Sequence, residues 1–393
     1  MKKIMILGAG IYQVPLIRQA KKMGLETIVV SYAGNYPGFA LADKVYEIDT
    51  TDYCGVLEAA KKEGIQGICA SGTDVAVKTI GYVCDHMHLS GISEYAARTV
   101  TDKALMKAAF VRGQVSTARH CTVRSLEEAK RVALEFGLPV MMKATDTSGS
   151  RGVTKVDTLD QLDTAYAEAI RVSRHNHYVV EEYIEGTEIG LDAFVSNGKL
   201  ELLLPHEKYV KHCAGATVPV GHRFPYICSD KLMEELRIQM ERVIAATGMD
   251  NCAVNADIFV MPDDTVQIIE AGGRAGATCI PELISIYCGF NYYEKIIENA
   301  LGEPLDFTKK HAVPCIAKLI YSDKEGHITR MDMERILEHN NARTQVKMDY
   351  SVGSKVWEMK NGTDRIGQVI MKTDDETEVD AVIKAIKENI VVE

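Results

Sequence analysis

Two carboxylates, Asp257 and Glu270, stand at a spacing that could hold a cation. The segment NADIFVMPDDTVQIIEAGGR sets two apolar runs around the polar stretch Pro262–Thr265, the pattern of a β-hairpin. A turn centred between Asp263 and Asp264 brings Asp257 directly opposite Glu270, with Cβ atoms ~5 Å apart. At an effective dielectric of ~20, two carboxylates at that distance repel by roughly 3 kcal/mol. A hard divalent ion between them removes the repulsion and keeps positions open for water and phosphate oxygens. An exposed pair on a wet sheet face is the alternative that the hairpin alone leaves open. Four residues beyond Glu270, in a glycine-rich run, Arg274 adds a cation where an anionic substrate could meet it.

A second group lies upstream. Lys143 ends the strand-like run LPVMMKA (138–144), and TDTSGSRGV (145–153) follows with glycines at 149 and 152. Glycine lets backbone N–H groups approach a phosphate closely, and the lysine adds a point charge. A plain flexible connection is the other reading of this loop. A Walker loop ends in Gly-Lys-Ser/Thr, but here Gly198-Lys199 is followed by Leu200. Protein kinases place the glycine loop before the lysine strand, the reverse of this order. Weaker strings fall away on spacing. HEKYVKH (206–212) has its histidines six apart, whereas one helix face binding a metal needs four. His86 and His88 read as surface residues beside a helix end. Gly8 and Gly10 begin a dinucleotide fingerprint, but Gln13 replaces its third glycine and no acid closes the second strand. A tight strand-to-helix turn is therefore preferred to a nicotinamide oxidoreductase.

These residues need a scaffold, and 393 residues suffice for two or three domains with real cores. Composition is that of an ordinary globular protein, with 46% hydrophobic and 25% charged residues. The net charge of −10 argues against a nucleic-acid or acidic-membrane surface, which needs a basic footprint. No run approaches a membrane span, and MKKIMILGAG reads as a buried first strand. Ten scattered cysteines without a CxxC pair point to a reduced, cytoplasmic protein.

The fold class is α/β and α+β. Residues 1–100 alternate strand and helix (IMIL, TIVV, VYEI and GICA as strands), which predicts an open parallel sheet. Asp102 or Thr101 caps a helix to about Arg112, and another helix spans 125–136. YVVEEYI (178–184) and EIGLDAFV (188–195) read as a pair of strands around Glu185–Gly186. A helix spans 230–247, the carboxylate hairpin follows, and one more helix runs over 281–300. AKLIY, GQVIMK and a closing helix near 377–389 make a small C-terminal α+β unit.

Read in order, the parts are Lys103 at a helix start, Lys143 before a Ser/Gly loop, an acidic hinge at Glu181–Gly186 with Glu188, and a carboxylate hairpin ending in arginine. This order resembles the ATP-grasp superfamily. The resemblance covers about 1–305 well and the tail loosely. It implies a pre-ATP-grasp domain at 1–100, a two-subdomain ATP-grasp domain at 101–305 with a mobile lid at about 113–183, and a small α+β domain at 306–393. It implies that Lys103 and Lys143 contact ATP phosphates, Lys143 also reaching the adenine side. Ser148, Gly149, Ser150, Gly152 and Val153 would belong to the closing loop. Glu181, Glu182, Tyr183 and Ile184 would line the adenine and Glu188 would take the ribose. Asp257 and Glu270 would hold two magnesium ions, with manganese an alternative. Arg274, Lys143 and Lys208 are the candidate catalytic residues.

The reaction so implied is ADP-forming: a carboxylate is activated as an acyl phosphate and an amine takes the acyl group. Small-molecule carboxylate and amine substrates are the expected partners, with a homodimer as a candidate assembly. The runner-up is a bicarbonate-activating carboxylase or carbamoyl-phosphate-type enzyme. One departure, Gly272 where the superfamily usually has a metal-binding asparagine, keeps open a nucleotide-binding regulator without turnover. The same resemblance puts the acceptor near Thr73, Asp74, Arg274 and Ala277. The polar loop 205–225, with Lys208, His212 and His222, is either a wall of the site or a solvated connection.

Overall fold

The computed structural model describes residues 1–213 and 216–393. They form two compact units: residues 1–204, 227–275 and 294–305 make one, and residues 205–226, 276–293 and 306–393 the other. In the first unit, β1 (Lys3–Leu7), α1 (Val14–Lys22), β2 (Glu26–Ser31), β3 (Lys44–Glu47), α2 (Tyr53–Glu63) and β4 (Gly67–Cys69) alternate as the apolar runs predict. The sheet order is β3-β2-β1-β4, all parallel. Ile4 to Leu7 and Ile28 to Val30 are fully buried, as strands covered on both faces must be. The β1–α1 turn is tight: the Gln13 carboxamide accepts from the Gly10 N–H (3.0 Å) and donates to the Ser71 carbonyl (2.6 Å). Gln13 thus fills the space that the third glycine of a dinucleotide fingerprint leaves open.

Helices α3 (Val77–Met87) and α4 (Glu94–Val100) lead to α5 (Lys103–Arg112), whose N-cap is Asp102. The next elements are β5 (His120–Val123), α6 (Leu126–Phe136), β6 (Val140–Ala144), β7 (Val153–Val156), α7 (Leu159–Val172) and β8 (Tyr178–Glu182). They build an antiparallel sheet ordered β5-β8-β6-β7, with α6 and α7 packed over its core of Val140, Met142, Val156, Leu162 and Val180. Because β8 is paired on both sides, by β5 and β6, it has no edge for β9 (Thr187–Ser196). The expectation that residues 178–184 and 188–195 pair with each other is therefore corrected: β9 lies in another sheet.

β10 (Lys199–Cys213) begins in the first unit, and its residues 207–213 pair within the second with β11 (Ala216–Phe224). The polar 205–225 stretch is thus a hairpin and not a loop. Its polarity is that of strands with a wet face; residues 214 and 215 lie outside the described residues. Helix α8 (Asp230–Thr247) is capped by Ser229 and stopped by Gly248 in the left-handed region. After it come β12 (Cys252–Val260) and β13 (Val266–Gly272), in the order β13-β12-β9. The helix expected over 281–300 is two, α9 (Ile280–Cys288) and α10 (Tyr292–Ala300), because Gly289 at φ +77° ends the first.

The rest of the second unit comprises β14 (Cys315–Tyr321), β15 (Gly326–Met331), α11 (Met333–Leu337), β16 (Thr344–Met348), β17 (Lys355–Val356), β18 (Arg365–Met371), α12 (Glu376–Lys387) and β19 (Ile390–Val392). Strands β11-β14-β18-β16 are antiparallel neighbours around a core of Ile316, Ile320, Val369, Val379 and Ile386. Among the described residues no helix is long and apolar enough to cross a membrane.

Gly152 closes the β6–β7 connection at φ +65°, and a Cβ there would lie 2.5 Å from Val172 Cγ2 and 3.0 Å from Ala144 Cβ. Both the backbone and the space oppose a side chain. Gly152→Ala is expected to destabilise the protein by about 1–3 kcal/mol, read by urea denaturation; an unchanged midpoint would contradict this packing.

Candidate active site

Asp257 of β12 and Glu270 of β13 are directly paired across the ladder. The pairing is reached by a route the turn arithmetic does not contain. Nearest the turn, Val260 faces Val266 and Ile258 faces Ile268, a register centred on Asp263. Between Ile258 and Asp257 the register shifts, leaving Ile269 as an extra residue on β13. Without that bulge Glu270 would point to the opposite face. On the other side β9 pairs Gly190 with Asp257 and Glu188 with Phe259. Alternation then puts Glu188, Asp192, Asn255, Asp257 and Glu270 on one sheet face.

Cations approach this face from the first unit itself. Lys103, the first residue of α5, holds its Nζ 3.8 Å from Glu270 Oε2 and 2.5 Å from the Thr147 carbonyl, so one lysine links hairpin and loop. The loop is folded on itself: the Thr147 hydroxyl donates to the Arg151 carbonyl, and Gly149, Ser150 and Gly152 all have positive φ. Ser148 and Gly149 are solvent-accessible, and Val153 faces Lys143 across the β6–β7 ladder.

The Lys143 side chain is buried. Its Nζ donates to Glu181 Oε2 at 2.7 Å, and Lys107 Nζ lies 3.4 Å from the same oxygen. All three side chains are at most 8% exposed. Burial pulls Lys107 down to about 8, against the upward pull of Glu181 and aided by Lys143. Burial opposes ionisation of Glu181, but Lys107 and Lys143 outweigh it and hold the carboxyl at about 2. Glu181 Oε1 is a buried oxygen with no hydrogen-bond partner. Beyond β8, Tyr183 lies under Lys155 Nζ (4.4 Å to the ring), Ile184 is half-buried, and Glu182 and Glu188 are exposed.

Arg274 is held by an acid. Its Nε and one terminal nitrogen donate to the two Asp74 oxygens at 2.8 and 3.0 Å, and the other donates to Asn255 Oδ1 at 2.8 Å. Asn255 in turn donates to Asp192 Oδ2 at 2.9 Å. Burial works against both charges of the Arg274–Asp74 pair, yet their attraction wins and keeps the carboxyl low and the guanidinium charged. Gly272 acquires a reason here: it faces Asn255 across the ladder, and a Cβ on it would sit 3.1 Å from Asp74 Oδ1. A side chain at 272 would crowd the acid that grips Arg274.

The structure thus brings together Lys103, the 147–152 loop, Glu270, Arg274 and Asp74 through direct contacts or the shared hairpin. Lys208 belongs to β10 in the second unit, opposite His222; His212 is exposed and His222 is buried beside His206. Sequence reasoning missed Lys107, Asn255 and Asp192. A signal existed for two of them: Lys107 is one helical turn from Lys103, and Asn255 is one strand period from Asp257.

A model described as an ATP-grasp domain matches residues 136–282. The alanine–anticapsin ligase of Bacillus subtilis is 24% identical over 260 residues, covering 59% of this chain and 54% of that protein. The carbamoyl phosphate synthase large chain of Thermoanaerobacter pseudethanolicus is 23% identical over 328 residues, covering 78% of this chain and 29% of that one. The chain spans about half or less of the length of these curated relatives. The crystal structure of a phosphoribosylglycinamide synthetase from Anaerococcus prevotii is similar at a TM-score of 0.81 and 29% identity, covering 100% of this chain and 99% of that one.

The Lys107 environment has a measurable consequence. Between about 8, where the folded protein releases this proton, and 10.5, where an ordinary lysine does, the unfolded chain binds more protons. This residue therefore makes stability rise with pH across that window. In urea titrations, the unfolding free energy of wild type minus that of Lys107→Met is expected to grow from about pH 7.5 to about pH 10. A flat difference would show that Lys107 is not held charged against its burial.

Proposed function

We propose that the chain, whose residues 136–282 match a model described as an ATP-grasp domain, is an ADP-forming ligase that activates a carboxylate as an acyl phosphate and transfers it to an amine. The observation that carries the reading is the sheet face bearing Glu188, Asp257 and Glu270, with Lys103 beside it and Arg274 following the second carboxylate. The residues fit the nucleotide and its metal. Asp257 and Glu270 supply oxygen donors from two adjacent strands, the donor set that magnesium or manganese takes. Glu181 Oε1, buried and unsatisfied, is an acceptor for the exocyclic amino group of adenine. Lys103 and Lys143 bear on the phosphates, Ser148–Val153 form the cover, Glu182 to Ile184 line the base, and Glu188 takes the ribose hydroxyls.

Bound ATP and its metal ions supply the phosphoryl group and neutralise the charge that builds on its oxygens. The chain's own part is orientation and exclusion. Arg274, fixed by Asp74 and Asn255, presents its guanidinium at the end of the hairpin, where an acyl phosphate or carboxylate would meet it. The Ser/Gly loop keeps water from a hydrolysable intermediate. None of the ten cysteines forms a disulfide among the described residues, and we place the protein in the reducing cytoplasm, with a homodimer as the assembly for light scattering to test. A second reading, a nucleotide-binding regulator, is favoured by Gly272 alone.

A screen of carboxylate–amine pairs for ADP release separates the two readings: turnover with at least one pair supports the ligase, and tight ATP binding without turnover supports the regulator. With a productive pair, Asp257→Asn or Glu270→Gln is expected to lower ADP formation at least about a hundredfold at unchanged melting temperature. Wild-type turnover in either folded variant would overturn the metal assignment. Arg274→Lys is expected to slow single-turnover product formation with little change in ATP affinity. A large fall in melting temperature with a normal rate per folded molecule would instead leave Arg274 as Asp74's structural partner.

A further inference from the structure

A second donor cluster lies in the first unit, apart from the Asp257–Glu270 pair. Asp102 caps α5 through one oxygen, Oδ1, which accepts from the Ala104 and Leu105 N–H groups at 2.9 and 3.2 Å. Its other oxygen, Oδ2, faces two imidazole nitrogens, His175 Nδ1 and His177 Nε2, each at 3.3 Å. The two rings are stacked at 4.9 Å between centroids. The three donor atoms all lie within 4.8 Å of one another. Metal bonds of about 2.0–2.1 Å at tetrahedral angles set ligand atoms roughly 3.3–3.4 Å apart, so two of the three separations already match and the third is within 4.8 Å.

The backbone that carries the two rings is held by hydrogen bonds of its own. Thr145 Oγ1 donates to the His177 carbonyl and lies 3.0 Å from His175 Nδ1, so a metal on that nitrogen displaces its proton and takes the place of the Thr145 contact. Asp146 accepts from the Ser173 hydroxyl and the Arg174 N–H, and Tyr178 donates to the His175 carbonyl. The segment 173–177 is therefore fixed before anything binds. The side chains of His175 and His177 are 29% and 23% exposed and that of Asp102 is 7% exposed, so the open side faces solvent while the carboxylate anchors the floor.

We propose that Asp102, His175 and His177 form a binding site for a borderline divalent transition metal such as Zn²⁺, with solvent completing the coordination. Two imidazoles and one carboxylate are the donors that Zn²⁺ and Co²⁺ prefer, whereas Mg²⁺ favours an all-oxygen set. An occupied site ties the N-terminus of α5, and with it Lys103, to the connection entering β8. Only local geometry carries this inference; it does not depend on the ligase reading.

The test uses the full-length protein, freed of metal by a chelator and titrated with Co²⁺ in the absence of nucleotide. One equivalent should bind with the visible absorption of a four-coordinate ion, and Zn²⁺ should displace it. The His175→Ala/His177→Ala double variant, checked for an unchanged circular dichroism spectrum, should lose at least roughly a hundredfold in affinity, the upper end of what loss of an outer-shell partner costs. The Asp257→Asn/Glu270→Gln variant should retain the wild-type uptake. X-ray absorption of the Zn²⁺-loaded wild type needs no variant and should show two imidazoles and oxygen. Absence of uptake, uptake that survives the double histidine change, uptake lost with the hairpin carboxylates, or a sulfur shell from the thiols would each overturn the proposal.

Discussion

Like charge held at short range is the condition to which the first unit's sheet face is built. A β ladder fixes the separation of Asp257 and Glu270, and neither can retreat without breaking backbone pairing. The surrounding sequence answers with cations at graded distances. Lys103 reaches Glu270 from a helix terminus, and Arg274 stands in the field of Asp257 while bound to Asp74. The result is an alternation of sign that runs from the Thr147 loop across the hairpin to Asp74 in the parallel-sheet domain. Lysine and arginine thus already supply part of the compensating charge that these two carboxylates call for.

The Lys107–Glu181–Lys143 group meets a different version of the problem. Here two positive charges share one carboxylate in a pocket that water scarcely reaches, and the excess charge falls on the lysine that burial penalises most. A site of this kind is weak evidence for stability, since apolar residues could fill the same volume at less electrostatic cost. It is better understood as a fixed field around the unsatisfied Glu181 oxygen.

Much of this was legible from residue order, because strand and helix signals are local. The parallel sheet and the cap at Asp102 follow from patterns a few residues long, whereas Asp257 and Glu270 face each other only because the bulge at Ile269 offsets a turn centre one half-step from the expected one. What escaped depends on partners distant in the chain. Which sheet β9 joins is decided by β8 already being paired on both sides, a fact about residues 120–144 and not about the Glu185–Gly186 link. The 205–225 hairpin hid behind its own polarity, since a strand with a wet face and a loop share a composition. Gly272 looked like a lost ligand; only the position of Asp74, about two hundred residues earlier, gives it a steric purpose.

Ile269 divides the carboxylate hairpin into two stretches with unequal tolerance of length change. Residues gained or lost at the tip, between Met261 and Thr265, alter a solvent-facing turn and leave both ladders beyond it to re-form. A single insertion or deletion at the bulge reverses the parity of every later side chain in β13, carrying Glu270 to the far face and Gly272 out of line with Asn255. Drift in hairpin length among related chains is therefore expected to collect at the tip. Matching such chains by counting back from the turn would place the second carboxylate one residue away from where the ladder holds it.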